Sequence, residues 1–210
     1  MANDYGSLVT RIRTDLNRGS AHDNRIRQAI IDAIRFYRST RLGWNQKRAE
    51  TLVQDGDEFV DLPPDWIEID QLVLEEDNTR DPLIERTYDW IEERRRTRDL
   101  SGRPTDYAIQ ARQLRLYPPA DQSYSLVMSL LYELRDVSLS ASDGTTNAWM
   151  TEGEELIRKH AFADLLVYYI AGEETERGLM IREEVSTRIL PVLEAQAARE
   201  QSSGRIKAFL

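Results

Sequence analysis

The chain has 210 residues, no cysteine, two histidines and a formal net charge of −9. The lack of cysteine excludes disulfides, zinc fingers and cysteine nucleophiles, and two imidazoles are too few for a histidine-rich metal site. The acidic balance argues against a general nucleic-acid binder that is held by phosphate neutralisation. The longest apolar run, Leu165 to Ala171, is far shorter than the roughly 20 residues of a membrane span, so no membrane association is expected.

Apolar residues at helical spacing predict two helices at the beginning of the chain. The first covers residues 4–17. Before the second, Ser20 stands three residues ahead of Asp23 and is expected to cap the helix, and Gly43 is expected to end it. Between these ends runs one apolar stripe, which consists of Ile26, Ala29, Ile30, Ala33, Ile34 and Tyr37.

The sequence pattern changes after the second helix. Two short strands are predicted near residues 58–62 and 67–75, because the Pro-Pro-Asp turn between them cannot continue a helix. Residues 76–82 have the composition of a turn, and helical character returns between Ile84 and Arg98.

Three further strands are predicted between Gly102 and residue 134. The first two, around Tyr107 and Leu114, alternate apolar and polar residues and are expected to have one solvated face. The third, residues 124–134, is too apolar for simple alternation and is expected to be covered in part on both faces. Short turns would join the three strands into a meander, with a hairpin tip at Tyr117, Pro118 and Pro119, which are candidate residues of a subunit or tail interface.

The last part of the chain returns to helical periodicity. Thr151 and Glu154 have the spacing of a capping box that begins an apolar helix, and Gly172 interrupts this helix. A further helix is predicted from about residue 173 to 200, with a kink or a new segment at Pro191.

The order of these segments predicts an α+β fold that is mainly α. The N-terminal and C-terminal helices, residues 1–49 and 150–200, are expected to form one helical bundle. Residues 50–149 would form a small antiparallel β lobe inserted into the bundle, and residues 201–210 a flexible arm.

No catalytic, cofactor-binding or metal-binding residue is predicted. Glycine-rich phosphate loops are missing from the sequence. Adjacent acidic residues such as Glu154 and Glu155 point about 100° apart on a helix and make a poor two-ligand site, so they are interpreted as solvated helix faces. A triad of a serine with His160 and Asp164 lacks a nucleophile elbow.

An arginine run on the predicted helix before Gly102 has two interpretations. Its four cations could touch nucleic-acid phosphates, but acidic residues on both sides of the run nearly cancel its charge. A salt-bridged helix face or a contact with an acidic neighbouring subunit is the favoured interpretation. The run consists of Arg94, Arg95, Arg96 and Arg98.

The C-terminal tip also has two interpretations. It follows a Ser-Ser-Gly segment, Ser202 to Gly204, that is expected to act as a flexible linker. A disordered polar tail does not need apolar groups, so the tip is either an idle tail or a docking peptide. Its candidate docking residues are Arg205, Ile206, Lys207, Phe209 and Leu210.

The order and spacing of several short motifs resemble the head-to-tail adaptor, or connector, proteins of tailed bacteriophages, especially short-tailed ones. The resemblance extends to about residue 200. It is carried by the N-terminal helix pair ending in "AIIDAIRFYRSTRLGW", then "FVDLPPDWIEIDQL", then "GRPTDYAIQARQLRLYPPAD", a strand through Tyr132, and the apolar helix after Trp149. Where this family usually has a more separated proline pair, the sequence has "YPPAD".

The resemblance implies a structural protein of the virion neck that is made in the host cytoplasm. Such adaptors form a ring of copies of themselves, usually a dodecamer, beneath the portal protein. The helical bundle would build the ring, the C-terminal arm would dock into the portal, and the β lobe would face a tail nozzle or tube protein. Genomic DNA would pass through the lumen without specific binding, which suits an acidic chain.

Two other classes of function are left open by the residues. One is a nucleic-acid-binding packaging factor that uses the arginine run between Arg94 and Arg98. The other is a carboxylate-based hydrolase that acts on cell wall or nucleic acid.

Overall fold

The structure of the protein is a computed structural model. It describes residues 4–76, 79–97, 100–134, 138–170, 172 and 174–206. The chain divides into two compact units. One, here called the helical unit, consists of the segments up to Asn45 and from Leu134 onward. The other, the sheet unit, is Gln46–Glu133. The predicted fold class, α+β and mainly α, is confirmed.

The boundaries of these units differ from the predicted segment boundaries. Residues 46–49 belong to the sheet unit because they begin its first strand. The segment from Leu134 to Trp149 belongs to the helical unit, where the Trp149 side chain is fully buried in the core.

Helices account for most of the regular structure. In none of the described ranges does a helix combine the length and the apolar character needed to cross a membrane. The described residues form seven α-helices: α1 Tyr5–Asp15, α2 Asp23–Tyr37, α3 Tyr88–Thr97, α4 Ala148–Thr151, α5 Glu154–Asp164, α6 Glu174–Glu184 and α7 Leu190–Ile206. All except α3 lie in the helical unit.

The core of the helical unit forms where the apolar faces of α1, α2 and α5 meet. The stripe predicted on α2 is confirmed, since all six of its residues are buried. Burial of large apolar side chains removes hydrocarbon from water and is the main force that holds such helices together. The largest fully buried side chains of this core are Tyr5, Leu8, Ile12, Ile26, Ile30, Ile34, Leu42 and Trp149.

Several predicted helix ends are wrong. Ser20 does not cap α2, because residues Ser20–His22 form a 3-10 turn that leads directly into the helix. The helix also ends at Tyr37, well before Gly43, which begins another 3-10 turn. Local hydrogen bonds in these short turns compete with a regular α-helical end.

The predicted capping box at Thr151 is also wrong. Thr151 is the last residue of the short helix α4, which is capped by the side chain of Asn147. Gly153 then precedes α5, without a side-chain cap.

Two π-helical segments extend the C-terminal helices. The first, Leu165–Ile170, continues α5 as far as the predicted break at Gly172, whose φ is +69°. The second, Val185–Ile189, joins α6 to α7. Pro191 is the second residue of α7. Since proline lacks an N–H and its ring clashes with a carbonyl four residues before it, the wider π turn is a suitable place for it.

The sheet unit contains two four-stranded sheets in the described residues. The first has the strand order β1-β8-β3-β4 and is antiparallel throughout; the second has the order β2-β7-β6-β5, with β5 parallel to β6. The strands are β1 Gln46–Val53, β2 Phe59–Asp61, β3 Trp66–Glu76, β4 Thr79–Pro82, β5 Ile84–Glu85, β6 Asp106–Gln110, β7 Gln113–Tyr117 and β8 Tyr124–Tyr132.

The predicted meander is wrong in one respect. Strands β6 and β7 form an antiparallel hairpin, but β8 leaves that sheet and lies between β1 and β3 in the other one. This central position explains why β8 is apolar on both faces. Three strands were also not predicted: β1, β4 within the segment interpreted as a turn, and β5 at Ile84–Glu85, where helical character was expected.

The two sheets share one hydrophobic core. Residues of both sheets contribute to it, including Leu72 and Leu74 of β3 and Leu114 and Leu116 of β7. Since each sheet alone would expose one apolar face, packing the faces together stabilises both.

Candidate interaction surfaces

Helix α3 is attached to the second sheet by a buried arginine. Arg115 in β7 has only 5 % of its surface exposed. Its Nε and Nη2 atoms donate hydrogen bonds of 2.8 and 2.6 Å to Glu58 Oε1, and Nη1 forms an ion pair with Glu92 of α3. The guanidinium also lies 4.9 Å from the ring centroid of Tyr88. A buried charge needs such partners, so this part of α3 is held in one position.

Arg95 of the arginine run belongs to the same cluster. Its Nη2 atom lies 3.0 Å from Glu58 Oε2, so the two oxygens of Glu58 form ion pairs with two different arginines. This contact is a salt bridge within the chain, and the interface role of the run stays a prediction.

Arg94 packs on an aromatic ring instead. The guanidinium carbons of Arg94 and Arg86 each lie 5.0 Å from the ring centroid of Trp90, and Tyr117 meets the same ring edge-on at 6.0 Å. Arg86 Nε also donates to Asp106 Oδ1 at 2.8 Å. Cation–π contacts of this kind are attractive without neutralising the cation.

The other two arginines of the run differ in what the structure describes. Arg96 is exposed on α3, whereas Arg98 lies outside the described residues. The run therefore does not act as one uniform patch: Arg95 is bound to Glu58, Arg94 is stacked on Trp90, and Arg96 projects a cation into solvent.

Residues Tyr117, Pro118 and Pro119 do not form a protruding hairpin tip. Pro119 is buried, Tyr117 and Pro118 are partly buried, and the chain passes here from one sheet to the other. The N–H of Gly102 donates to the Pro119 carbonyl at 2.9 Å. Ala120, which is fully buried, exchanges backbone hydrogen bonds with the turn around Gly56. Shortening this segment would therefore disrupt the fold of the sheet unit.

The C-terminal docking residues are only partly within the described chain. The backbone of α7 continues as a helix through Ser202, Ser203 and Gly204 to Ile206, where a linker was predicted. Lys207, Phe209 and Leu210 lie outside the described residues. Their docking role, and that of Arg205 and Ile206, stays a prediction.

His160 belongs to a polar cluster inside the helical unit. Its Nδ1 atom lies 2.8 Å from Tyr37 Oη, and its Nε2 atom lies 3.5 Å from Asp164 Oδ2. Arg182 donates to Asp164 Oδ1 from Nε at 3.0 Å and from Nη2 at 2.5 Å. The cluster links α2, α5 and α6, and a tyrosine occupies the place where a Ser-His-Asp triad would need its serine.

Burial and charge affect the acid–base properties of this cluster. Burial, followed by the nearby Asp164 carboxylate, raises the pKa of Tyr37 to about 12. Burial alone would raise the pKa of Asp164, but hydrogen bonds from His160 and Arg182 hold it below its usual range. A neutral phenol beside a firmly ionised carboxylate suits a stabilising contact between helices.

Glu154, one of the adjacent acidic residues interpreted as a solvated helix face, forms an ion pair with Arg11 at 3.0 Å. Glu75 and Glu76, a second adjacent acidic pair, lie in strand β3 and not on a helix, and Glu75 forms an ion pair with Arg80 at 2.8 Å. Among the described residues, no group of three or more histidine or acidic side chains is arranged to hold a metal ion.

Two features were not predicted from the sequence. Arg115 alternates with apolar Leu114 and Leu116 and was expected on a solvated face, but it is buried because Tyr88 and Glu92 of α3 lie against it. Strand β1 was not predicted because four of its first five residues are polar, so the sequence shows no regular alternation there. They are Gln46, Lys47, Arg48 and Glu50.

Comparison with known proteins supports the resemblance described from the sequence. No curated protein matches the chain in sequence. The family model described as "SU10 adaptor protein" matches residues 3–205, which is nearly the whole chain and includes both units. The chain therefore belongs to the SU10 adaptor protein family, a family of bacteriophage adaptor proteins.

Proposed function

We propose that the protein is a head-to-tail adaptor that forms a ring, joins the portal to the tail and surrounds part of the DNA channel. The observation that carries this proposal is the family match across residues 3–205. A network of helix-to-helix contacts, such as Tyr37 with His160 and Arg182 with Asp164, makes the helical unit a stiff body suited to a ring subunit. The net charge of −9 suits a lumen through which DNA moves without adhering.

In this proposal the C-terminal segment docks into the portal. Its support is chemical: Ile206, Phe209 and Leu210 are apolar residues in the sequence that follows Gly204, and Arg205 and Lys207 could pair with portal carboxylates. Ordering such a segment costs about 1–2 kcal/mol per residue in backbone entropy. Burial of the apolar anchors would offset that cost.

The ring and the docking segment are tested together by mass measurement on the assembled proteins. Size-exclusion chromatography with light scattering would be run with and without the portal protein, and with and without DNA. Deletion of residues 203–210 should leave a folded chain that no longer binds the portal. A chain with Ile206, Phe209 and Leu210 replaced by serine should behave in the same way, whereas Gln201→Ala should bind normally. Full-strength portal binding by the deletion would move the docking site to the helical unit.

In this proposal the sheet unit contacts the next tail component. Its support is a set of exposed apolar side chains in a unit that already has a complete core of its own. Leu52, Ile84 and Leu100 are 61 %, 51 % and 55 % exposed. Exposed apolar groups are common at protein interaction sites. The candidate contact residues Tyr117, Pro118 and Pro119 lie in the same unit, and their role stays a prediction.

The tail contact can be tested without disturbing the fold. Ile84→Asp, Leu52→Asp and Leu100→Asp, each made singly, should leave portal docking unchanged, and at least one should impair attachment of the tail component. Leu139→Asp, an equally exposed position in the helical unit, is the matched control. Normal tail attachment by all three sheet-unit variants would reject the proposed orientation of the sheet unit.

We also propose that the protein is not an enzyme. The support is the role of its buried histidine, which contacts Tyr37 and Asp164 in a cluster between helices. His160→Gln should change stability without removing any hydrolytic step of infection. A well-folded variant that assembles normally but loses a hydrolytic activity would contradict this proposal.

A further inference from the structure

A cavity of about 240 Å³ lies in the helical unit, between the turn that follows α1 and the first π-helical segment. This volume is below the roughly 300–1,000 Å³ of sites that enclose a whole small molecule, so the cavity has room for one large side chain. Half of the residues that line it are apolar, and they form its floor. They are Leu16, Ile26, Leu165 and Ile170.

The π-helical geometry explains why two of these residues face the same cavity. In an α-helix, residues five positions apart point about 140° away from each other. The wider π turn, which joins each residue to the fifth one along, brings Leu165 and Ile170 to the same side. Short π-helical turns of this kind are frequent at functional sites, so the helix geometry is a second indication that this surface binds a ligand.

Tyr169 is held beside the floor of the cavity by two neighbours. Its Oη atom lies 3.1 Å from His22 Nδ1, and the two rings meet edge-on at 5.8 Å. The guanidinium carbon of Arg25 lies 5.4 Å from the centroid of the same ring. The tyrosine is 44 % exposed. A half-exposed aromatic ring in a fixed position offers apolar contact area at a low cost in conformational entropy.

Two cations line the same cavity without a carboxylate partner. Arg18 and Arg25 are exposed, and neither forms an ion pair within the described part of the chain. The cation–π contact of Arg25 does not neutralise its charge. The nearby Asp15 and Asp23 form ion pairs with other arginines, at 2.9 and 3.0 Å. None of the described lining residues is acidic, although the whole chain has a net charge of −9.

We propose that this cavity binds an acidic peptide segment of a partner protein, in which one large apolar side chain stands next to aspartate or glutamate. The apolar side chain would lie on the floor beside Tyr169. The neighbouring carboxylates would pair with Arg18 and Arg25, because planar guanidinium groups match the geometry of carboxylates. Both arginines are exposed, so the rest of the peptide can continue across the surface. The proposal goes beyond the adaptor role and does not rest on it.

Charge and shape distinguish this ligand from two other occupants. The C-terminal docking residues of the chain itself include Arg205 and Lys207, whose charges would repel Arg18 and Arg25. A DNA phosphate would complement the two lining arginines, but a duplex is too wide to enter the cavity and gains nothing from its apolar floor. A peptide with both an apolar and an acidic side chain uses the whole lining.

Binding is tested with a synthetic probe on the full chain. The probe is the capped peptide Gly-Asp-Phe-Asp-Gly, and methyl NMR of isoleucine-labelled protein reports where it binds. The signals of Ile26 and Ile170 should shift with a Kd of about 1 mM or below, whereas Ile91, buried in the sheet unit, should not respond. Peptides with Asn in place of Asp, or Ser in place of Phe, should bind about tenfold more weakly or worse, since each lacks one of the two features.

Charge reversal tests the role of the two arginines. Arg18→Glu and Arg25→Glu, made together, should abolish binding of the acidic probe and permit binding of Gly-Lys-Phe-Lys-Gly. Arg188→Glu changes another exposed cation of the helical unit and is the matched control, which should bind the acidic probe as the wild type does. If the double variant does not fold, Arg18→Gln and Arg25→Gln decide the question, and each should weaken binding about threefold.

Three results would overturn the proposal. They are signals of Ile26 and Ile170 that do not move at millimolar probe, equal binding of the probe and its Asn analogue, and binding of the acidic probe that survives the loss of both arginines. Two further results would replace the peptide by another ligand. Phenylacetate that binds as tightly as the probe would indicate a small carboxylate, and a DNA duplex that moves these signals when the probe does not would indicate a phosphate.

Discussion

Arg115 donates two hydrogen bonds to one oxygen of Glu58, at 2.8 Å from Nε and 2.6 Å from Nη2. Arg95 of α3 binds the other oxygen of the same carboxylate at 3.0 Å. One glutamate therefore connects a buried strand residue to the arginine run on the surface. The stability of the second sheet and the position of α3 should depend on the same few side chains.

Replacing Arg115 should be strongly destabilising. Arg115→Met keeps much of the side-chain volume but leaves the carboxylates of Glu58 and Glu92 without their main partner. We expect a loss of about 2–4 kcal/mol in the free energy of unfolding, because an uncompensated charge is left partly buried. Urea denaturation measures this loss. The control Arg80→Gln removes an exposed ion pair with Glu75 and should cost less than about 1 kcal/mol. Equal effects of the two substitutions would contradict the assignment.

The arginine run should act through carboxylates and not through DNA. Arg96→Gln, at an exposed position, is expected to weaken assembly with a neighbouring subunit while stability stays unchanged. Arg95→Gln should lower stability by about 1 kcal/mol, since it removes a partly buried ion pair with Glu58. In a gel-shift assay at moderate salt the wild-type chain should bind DNA little. Tight binding that weakens steeply with salt would favour a packaging factor that uses this run.

The contact between α5 and α6 should depend on the small size of Gly178. A Cβ atom at this position would lie 2.9 Å from the carbonyl oxygen of Ala163 and 2.7 Å from Val167 Cγ2. Because a backbone carbonyl cannot turn aside as a side chain can, Gly178→Ala should cost about 1–3 kcal/mol of stability. Thermal or urea unfolding measures it. Gly19→Ala, where no atom lies within 4 Å of the added carbon, is the matched control. Unchanged stability of Gly178→Ala would mean that the two helices are less closely packed.

The phenol of Tyr37 should make folding sensitive to alkaline pH. Its pKa is raised from 10.0 to about 12, mainly by burial. Below pH 10 the phenol is neutral in both the folded and the unfolded chain. As the pH rises from 10 towards 12, the unfolded chain ionises first, so stability present below pH 10 is lost by roughly 2–3 kcal/mol. Tyr37→Phe should make this loss shallower, measured by urea unfolding at several pH values. An identical pH dependence in the variant would contradict the assignment.

Local periodicity determined much of the helical unit. The stripe from Ile26 to Tyr37 could be recognised because an amphipathic helix repeats every 3.6 residues, and each of its apolar positions is buried. The prolines and glycines at Pro63, Pro64 and Gly172 likewise marked breaks, since their backbone restrictions act within a few residues.

Only the tertiary structure decided which strands pair. Whether β8 follows β7 into one sheet or crosses to β1 and β3 depends on contacts between residues far apart in sequence, which short turns do not encode. For the same reason the sequence did not predict the carboxylate partners of Arg115 or the contact of His160 with Tyr37. Arg115 binds carboxylates from other segments of the chain, and His160 contacts Tyr37 of another helix, so a buried polar group is recognised only when the elements that enclose it are in place.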